Sequence, residues 1–295
     1  MIKPTVSIIV RTYNRAEYLR QALDSIQHQT LAPDEVIVVD DGSTDETPVV
    51  AARYAVRYER LRHTGNPPVV LNAGLRAATG DLVSLLDSDD VWLPRKLEQQ
   101  VALLRADPRV GFVYGNARLL LPDGQQSPPV LHPTQIVQGD VLPVVAHAMC
   151  VHPSTLLVRR TLLDRIGPLD ETERVNEDLF LVLRLAREML AACVADPVAL
   201  IRRHPEQVST AHGLLAYTVA IRALSPLLAD TGVPHAVRAE ARRTIGRHHA
   251  HLAKSLLALR DVRRARQHAW LGLRFAPLHR PAWRWAAAAL VGRSL

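Results

Sequence analysis

The chain has 295 residues, of which 48% are hydrophobic and 22% charged, the balance of an ordinary globular protein able to bury one large core or a core with an appendage. No stretch approaches the roughly 18 to 20 consecutive apolar residues that span a bilayer, and the chain enters its first strand after Lys3 without a signal-peptide pattern, so a cytoplasmic location is expected. The net charge of +7 divides unevenly: residues 213–295 hold 14 Lys and Arg against 3 acids (+11), and residues 1–212 hold 22 against 26 (−4). Opposite charge implies two regions with different tasks. Cys150 and Cys193 lie in apolar surroundings without metal-type spacing, which marks buried thiols rather than a disulfide.

Val6–Val10 (VSIIV) is a buried-strand run closed by the polar turn Arg11-Thr12-Tyr13-Asn14-Arg15; Tyr18, Leu19, Ala22, Leu23 and Ile26 then recur at helical spacing. After Pro33, Val36–Val39 (VIVV) forms a second strand ending in Asp40, Asp41, Gly42, Ser43, Thr44 and Asp45, with Gly42 supplying the turn and Ser43 or Thr44 capping a helix near Glu46. A weaker strand lies near Val56–Leu61, and Asn66–Pro68 leads into a helix ending at Gly80, read as a left-handed cap. Leu82–Leu86 is an almost uninterrupted apolar run of strand length that stops in Asp87, Asp89 and Asp90, with only Ser88 between them. Strands alternating with helices predict βαβ units and a mainly parallel sheet, an α/β fold.

In open sheets of this kind ligands bind at the carboxyl ends of the strands. Three strand ends therefore converge: Thr12, Asn14 and Arg15 from the first, Asp40 and Asp41 from the second, and Asp87–Asp90 from the fourth. Each alone serves equally as a turn or a cap. Clustered carboxylates need a cationic offset, and a hard divalent ion held by one or two carboxylates and substrate phosphates meets that need.

Beyond Pro94 the pattern gives a helix to about Ala106, a strand at Val110–Leu121, and a proline-containing surface loop over 125–137 on the acceptor side. Pro153–Val158 reads as another strand. Next comes a helix with an apolar face of Leu179, Val182, Leu183 and Ala186, carrying Glu177 and Asp178 in its first turn, where acids also complement the helix dipole. Ala192–Ile201 is a further strand. From Gly213 the chain is helical, with stripes at Leu252, Leu256 and Leu259, at Ala265, Ala269, Trp270 and Leu273, and at Trp283, Ala287 and Leu290, the last two helices being separated by Pro277 and Pro281. The stripes are expected to pack on one another, and the basic residues suit solvent, an anionic membrane surface or an acidic partner.

The succession VSIIVRTYNR, VIVVDDGSTDET, NAGLRAATGDLVSLLDSDDVW and NEDLFLVLR resembles glycosyltransferase family 2 over roughly residues 4–210. The resemblance implies a GT-A fold of Rossmann-like type with a C-terminal helical extension, divided here at 1–212 and 213–295. It also implies an inverting transfer from a nucleotide-sugar donor (UDP, dTDP or GDP type) to a hydroxyl of a glycan, lipid-linked or other acceptor, assisted by Mn²⁺ or Mg²⁺. By that resemblance Thr12, Asn14 and Asp41 contact base and ribose, Asp40 supports them, and Arg15 and Asn72 belong to the donor-binding set. Asp87 faces the ribose or sugar, Asp89 the metal with Asp87 and His204, and Arg202, His204 and Ser209 close over the diphosphate. Asp178 is the base that takes the acceptor proton, and Glu177 positions the acceptor. One departure is that Val70, Leu71 and Asn72 stand where the family usually has Ala-Arg-Asn, which removes an arginine near the nucleotide and weakens the expectation of UDP.

Other functions fit less well. A sugar-1-phosphate nucleotidyltransferase would open with a Gly-rich loop where this chain has RTYNR, and a non-catalytic nucleotide-sugar-binding protein would be expected to lose the base or the metal acids. Nucleic-acid binding lacks a recognition-helix or aromatic-interleaved pattern.

Overall fold

The computed structural model of the protein describes residues 3–204 and 213–291. They fall into two compact units. The first runs to Val141 and resumes at Cys150, and the second joins Leu142–Met149 to the helices from Gly213 onward.

The first unit is built on an eight-stranded sheet. Its strands are β1 (Val6–Thr12), β2 (Glu35–Asp40), β3 (Arg57–Arg60), β4 (Leu82–Asp87), β5 (Val91–Trp92), β6 (Val110–Leu120), β7 (Leu157–Arg159) and β8 (Leu190–Arg202), ordered β3-β2-β1-β4-β7-β6-β8-β5. The β3-β2-β1-β4 portion is parallel, as the alternation of strands and helices predicts, and β7 and β5 enter antiparallel. Because β1 and β4 are central, Val6, Ile8, Ile9, Val10, Leu82 and Leu86 are fully buried, which is why these strands read as continuous apolar runs. Helices α1 (Ala16–Gln27), α2 (Thr47–Ala51), α3 (Pro67–Ala77), α4 (Lys96–Ala106), α6 (Arg160–Ile166) and α7 (Glu177–Glu188) complete the unit. The result is the expected α/β arrangement, a mainly parallel sheet flanked by helices.

Several local expectations change. Helix α2 is preceded by Asp45, whose carboxylate accepts the Thr47 N–H (3.0 Å), while Ser43 bonds back to Asp40 instead of capping. Gly80 has no left-handed conformation; it is glycine because a Cβ there would lie 2.7 Å from the Ser7 nitrogen. The stretch expected to be a strand from Pro153 begins as a one-turn 3-10 helix, Pro153–Thr155, and only then becomes β7. Pro153 fits the first position of such a turn, where its missing N–H costs nothing.

The second unit contains α5 (Leu142–His147), α8 (Gly213–Ala229), α9 (His235–Ala258), α10 (Val262–Phe275) and α11 (Arg280–Val291). Helix α5 lies beyond the loop expected over 125–137, in residues to which the sequence pattern assigns no element. Its Leu142, Val145 and Ala146 are buried, and His147 pairs with Glu240 of α9 (2.6 Å) while its carbonyl accepts from Arg247 (2.8 Å). The helical stripes are only partly core. Leu252, Leu256, Ala265 and Ala269 are buried, whereas Leu259, Trp270 and Trp283 face outward.

Candidate active site

The register of the central strands sets the site. Thr12 lies opposite Asp40 and Arg11 opposite Asp87, so β2, β1 and β4 end at one level, and the turns that follow share one rim. Those turns are tied together. Asn14 sits at φ 49°, which Asn tolerates, and its Oδ1 accepts the Thr44 N–H (2.7 Å) while its own N–H donates to Ser43 Oγ (2.8 Å). Asp40 is fully buried and accepts from the Ser43 N–H (2.9 Å), the Ser43 hydroxyl (2.5 Å) and the Tyr58 hydroxyl.

Asp41, expected at the nucleoside, holds its own neighbouring loop. Its Oδ1 accepts from the backbone (2.9 Å) and hydroxyl (2.8 Å) of Thr64, and its Oδ2 from the Gly65 N–H (2.8 Å). His63 in that loop stacks on Tyr13, with ring centroids 4.1 Å apart. Asn72 is likewise inward: it donates to the Leu169 carbonyl and Glu171 Oε1 (both 2.9 Å) and accepts from the Leu169 N–H, so it fixes the 169–171 loop. Leu71 is buried in the core. The Thr12 hydroxyl is buried with no hydrogen-bond partner, an acceptor or donor left for a ligand at the strand end.

The acids after β4 divide into two groups. Asp89 forms an ion pair with Arg15 and lies 3.0 Å from His204 Nε2; burial acts to raise its carboxyl, but Arg15 and His204 outweigh burial and hold it below the usual range. Arg202 braces the same turn: its Nε donates to the Asp89 carbonyl (2.8 Å), its Nη2 to Gln21 (2.6 Å), and its guanidinium covers the Tyr18 ring at 4.7 Å. Ser209 lies outside the described residues.

The second group is Asp87, Asp90 and His152, which offer one ligand atom each, all within 4.8 Å of one another. Asp90 is buried, and its carboxyl is pushed well above the usual value, by desolvation first and then by Asp89 and Asp87. Ser154 from the 3-10 turn donates to Asp90 Oδ2 (2.5 Å) and accepts the Asp87 N–H (3.1 Å). Burial lowers the His152 imidazole, so at neutral pH it is an uncharged potential ligand. The Asp87 and Asp90 carboxyls and the His152 imidazole form a donor set that suits a divalent ion. The Asp89–His204 pairing expected to share that ion is engaged by Arg15.

Arg11 joins both ends of the site. Its guanidinium donates to Asp87 Oδ1 (Nε 3.0 Å, Nη2 2.5 Å) and to Glu177 Oε1 (2.8 Å), linking the end of β4 to the first turn of α7. Burial opposes its charge, but the two carboxylates more than compensate and raise its pKa further. Beside Glu177, Asp178 is pushed up to about 6, by burial first and by the Glu177 charge second. Sequence reasoning missed Arg11, His152 and Ser154. An arginine inside a strand as apolar as VSIIVRT was the available signal, because a buried charge needs a partner.

Residues 7–166 match the model of glycosyl transferase family 2. The chain belongs to that family. An uncharacterized glycosyltransferase of Rickettsia prowazekii is 34% identical over 190 residues, covering 62% of this chain and 59% of the relative, so the chain spans less than two thirds of that protein. An uncharacterized protein of Mycobacterium bovis is 40% identical over 128 residues, 40% of this chain and 37% of the relative. Among solved structures, S. aureus TarS 1-349 superposes with a TM-score of 0.68 at 18% identity, covering 98% of this chain and 92% of that one. The same TarS protein has been solved in complex with UDP-GlcNAc. A mannosyltransferase from Pyrobaculum calidifontis, in complex with GDP-Man and Mn²⁺, superposes at 0.63 with 24% identity, covering 99% and 86%. At these identities the likeness establishes a shared fold for this family 2 chain.

Proposed function

We propose that this family 2 chain transfers a sugar from a nucleoside-diphosphate sugar to an acceptor hydroxyl with inversion, Asp178 serving as the base. The observation that carries the reading is the Arg11 bridge, which fixes the helix bearing Asp178 to the strand bearing Asp87. A direct displacement needs a carboxylate that takes the acceptor proton as its oxygen attacks, separate from the groups that hold the leaving diphosphate. Asp178 meets that need, since Glu177 and not Asp178 holds Arg11. Neighbours of the same fold bind UDP-GlcNAc and GDP-Man, which supports a donor of this class.

Asp87, Asp90 and His152 would hold a divalent cation, with Asp89 beside them, and the ion would supply charge neutralisation for a diphosphate. Arg15, paired with Asp89, stands where it can meet the same phosphates. The unpartnered Thr12 hydroxyl and the exposed Tyr13 ring would receive the nucleoside.

The test is to compare Asp178→Asn with Asp89→Asn. Asp178→Asn should leave donor affinity in calorimetry near that of the native protein while transfer falls by roughly 10² to 10⁴-fold. Asp89→Asn should weaken both together, because Arg15 and His204 lose the negative charge they share. The native rate should rise with pH through about 6, where Asp178 gives up its proton, and Asp178→Asn should lack that limb. Transfer undiminished in Asp178→Asn would exclude this base.

A further inference from the structure

The hairpin formed by α10 and α11 has its large and small residues placed opposite to the usual order. Its inward positions include Ala265, Ala269, Gly272, Ala288 and Ala289, packed with Ala253, Leu256 and Leu257 of α9. Its outward positions carry the bulk: Trp270 is 59% exposed, Trp283 58%, and Leu278, in the turn between the helices, 95%. On α10, Arg263, Gln267, Trp270 and Arg274 recur along one exposed stripe, with the Arg274 guanidinium 5.4 Å from the centre of the Trp270 ring. On α11, Arg280, Trp283 and Arg284 are exposed in the same alternation. The Trp283 indole N–H donates to the Pro277 carbonyl (2.7 Å), so its ring is fixed beside the turn that displays Leu278.

Residues 262–291 contain no Asp or Glu, while Arg263, Arg264, Arg266, Arg274, Arg280 and Arg284 all lie within them. The nearest acid is Asp261, which caps α10 by accepting the Arg264 N–H (3.1 Å). A helical face meant only for water gains from interspersed charges of both signs and from keeping tryptophan inside. This face has one sign of charge around fixed indoles, the composition of helices that lie in a lipid interface.

We propose that the α10–α11 hairpin docks this chain on an anionic lipid surface, its arginines at the headgroup phosphates and Trp270, Leu278 and Trp283 at the acyl boundary. Charge complementarity selects the sign of the surface. Leu278 selects lipid over a soluble polyanion, because a phosphodiester chain offers no apolar phase to cover it. No described helix is long and apolar enough to cross a membrane.

The experiment is co-sedimentation of the whole chain with vesicles of phosphatidylcholine, with and without about one third phosphatidylglycerol, at low and high salt. Binding to the anionic vesicles should exceed binding to the neutral ones by about tenfold or more and should fall with salt, each arginine at the surface contributing about fivefold. Brominated acyl chains should quench tryptophan fluorescence. The Trp270→Ser/Leu278→Ser/Trp283→Ser variant should lose vesicle binding by about tenfold or more while keeping its retention on heparin. Leu278→Ser alone, at a site too exposed to affect folding, should lose a smaller part. Equal binding to both vesicle types, or retention on heparin without vesicle binding, would overturn the proposal and in the second case assign the face to a soluble polyanion.

Discussion

Asp178 carries a cost at the residue scale that its proposed role explains. Burial, and then Glu177, raise its carboxyl from 3.8 to about 6, so the fold prefers the protonated form. The stability this gives is complete below the unfolded value and is lost as pH rises through about 6. At neutral pH the ionised group therefore weakens the fold by about 3 kcal/mol, an order-of-magnitude figure from the size of the shift. Asp178→Asn should raise Tm by several degrees near neutral pH, with the gain shrinking as the medium is acidified through about pH 5. Calorimetric scans across pH check this, and an Asn variant no more stable than the native chain near neutrality would show that the environment does not disfavour the charge. A protein that kept this carboxyl only as a helix-cap acid would gain nothing by burying it. Arg11 is the complementary case: its charge is stabilised where Asp178's is strained, because two carboxylates face it.

At the scale of elements, the turn Pro153–Thr155 holds the acids together with the strands: Ser154 bonds both Asp90 and the Asp87 backbone. It is cradled from below by a buried polar network: the Gln100 amide donates to the Thr155 carbonyl (2.6 Å), the Trp92 indole to the Ser154 carbonyl (2.7 Å), and Lys96 to Ser84 (2.8 Å) and Gln100 (2.7 Å). Burial pushes the Lys96 amine well below its usual pKa, and Trp92 covers it at 4.0 Å. Above this network the Ser154 hydroxyl joins Asp90 to the Asp87 backbone. Ser154→Ala should cost about 1 to 3 kcal/mol, the range for leaving a buried acceptor unsatisfied, and should weaken binding of nucleoside diphosphate with Mn²⁺. Unchanged Tm and unchanged affinity together would show that the turn does not organise the acids. This element was not legible in the sequence, whereas β1, β2, β4 and α7 were, and the difference is physical. Strands buried on both faces and a helix with one apolar face announce themselves by periodicity. A one-turn 3-10 helix has no period, and its purpose lies in bonds to residues more than 50 positions away. The same reason hid the inward role of Asn72, whose partners Leu169 and Glu171 are distant in sequence. Periodicity also misplaced Trp270 and Trp283, because apolar spacing marks a face without saying whether protein or another phase covers it.

For the whole molecule, the charge boundary at residue 212 and the grouping of contacts do not coincide. Composition changes at Gly213, but Leu142–Met149, within the first region by sequence, belongs with the C-terminal helices. Helix α5 has only six residues, too short to be stable alone, and what holds it is α9. Glu240 pairs with His147 and with Arg243, and both the Thr244 hydroxyl (3.2 Å) and Arg247 (2.8 Å) donate to the His147 carbonyl. A chain ending at residue 212 would leave Leu142, Val145 and Ala146, now buried, without cover. Exposed apolar side chains on a segment with no helix to pack against promote association and proteolysis. Such a chain should therefore aggregate or be cleaved first within residues 142–149, and replacing Leu142 and Val145 by Ser should restore a soluble monomer. Size-exclusion chromatography and limited proteolysis with mass analysis decide the matter. A chain ending at residue 212 that stays monomeric and resists cleavage at 142–149 would show that the first unit can shelter α5 by itself. Aggregation relieved by the two serines would show that the apolar face of this inserted helix is what the second unit has to cover.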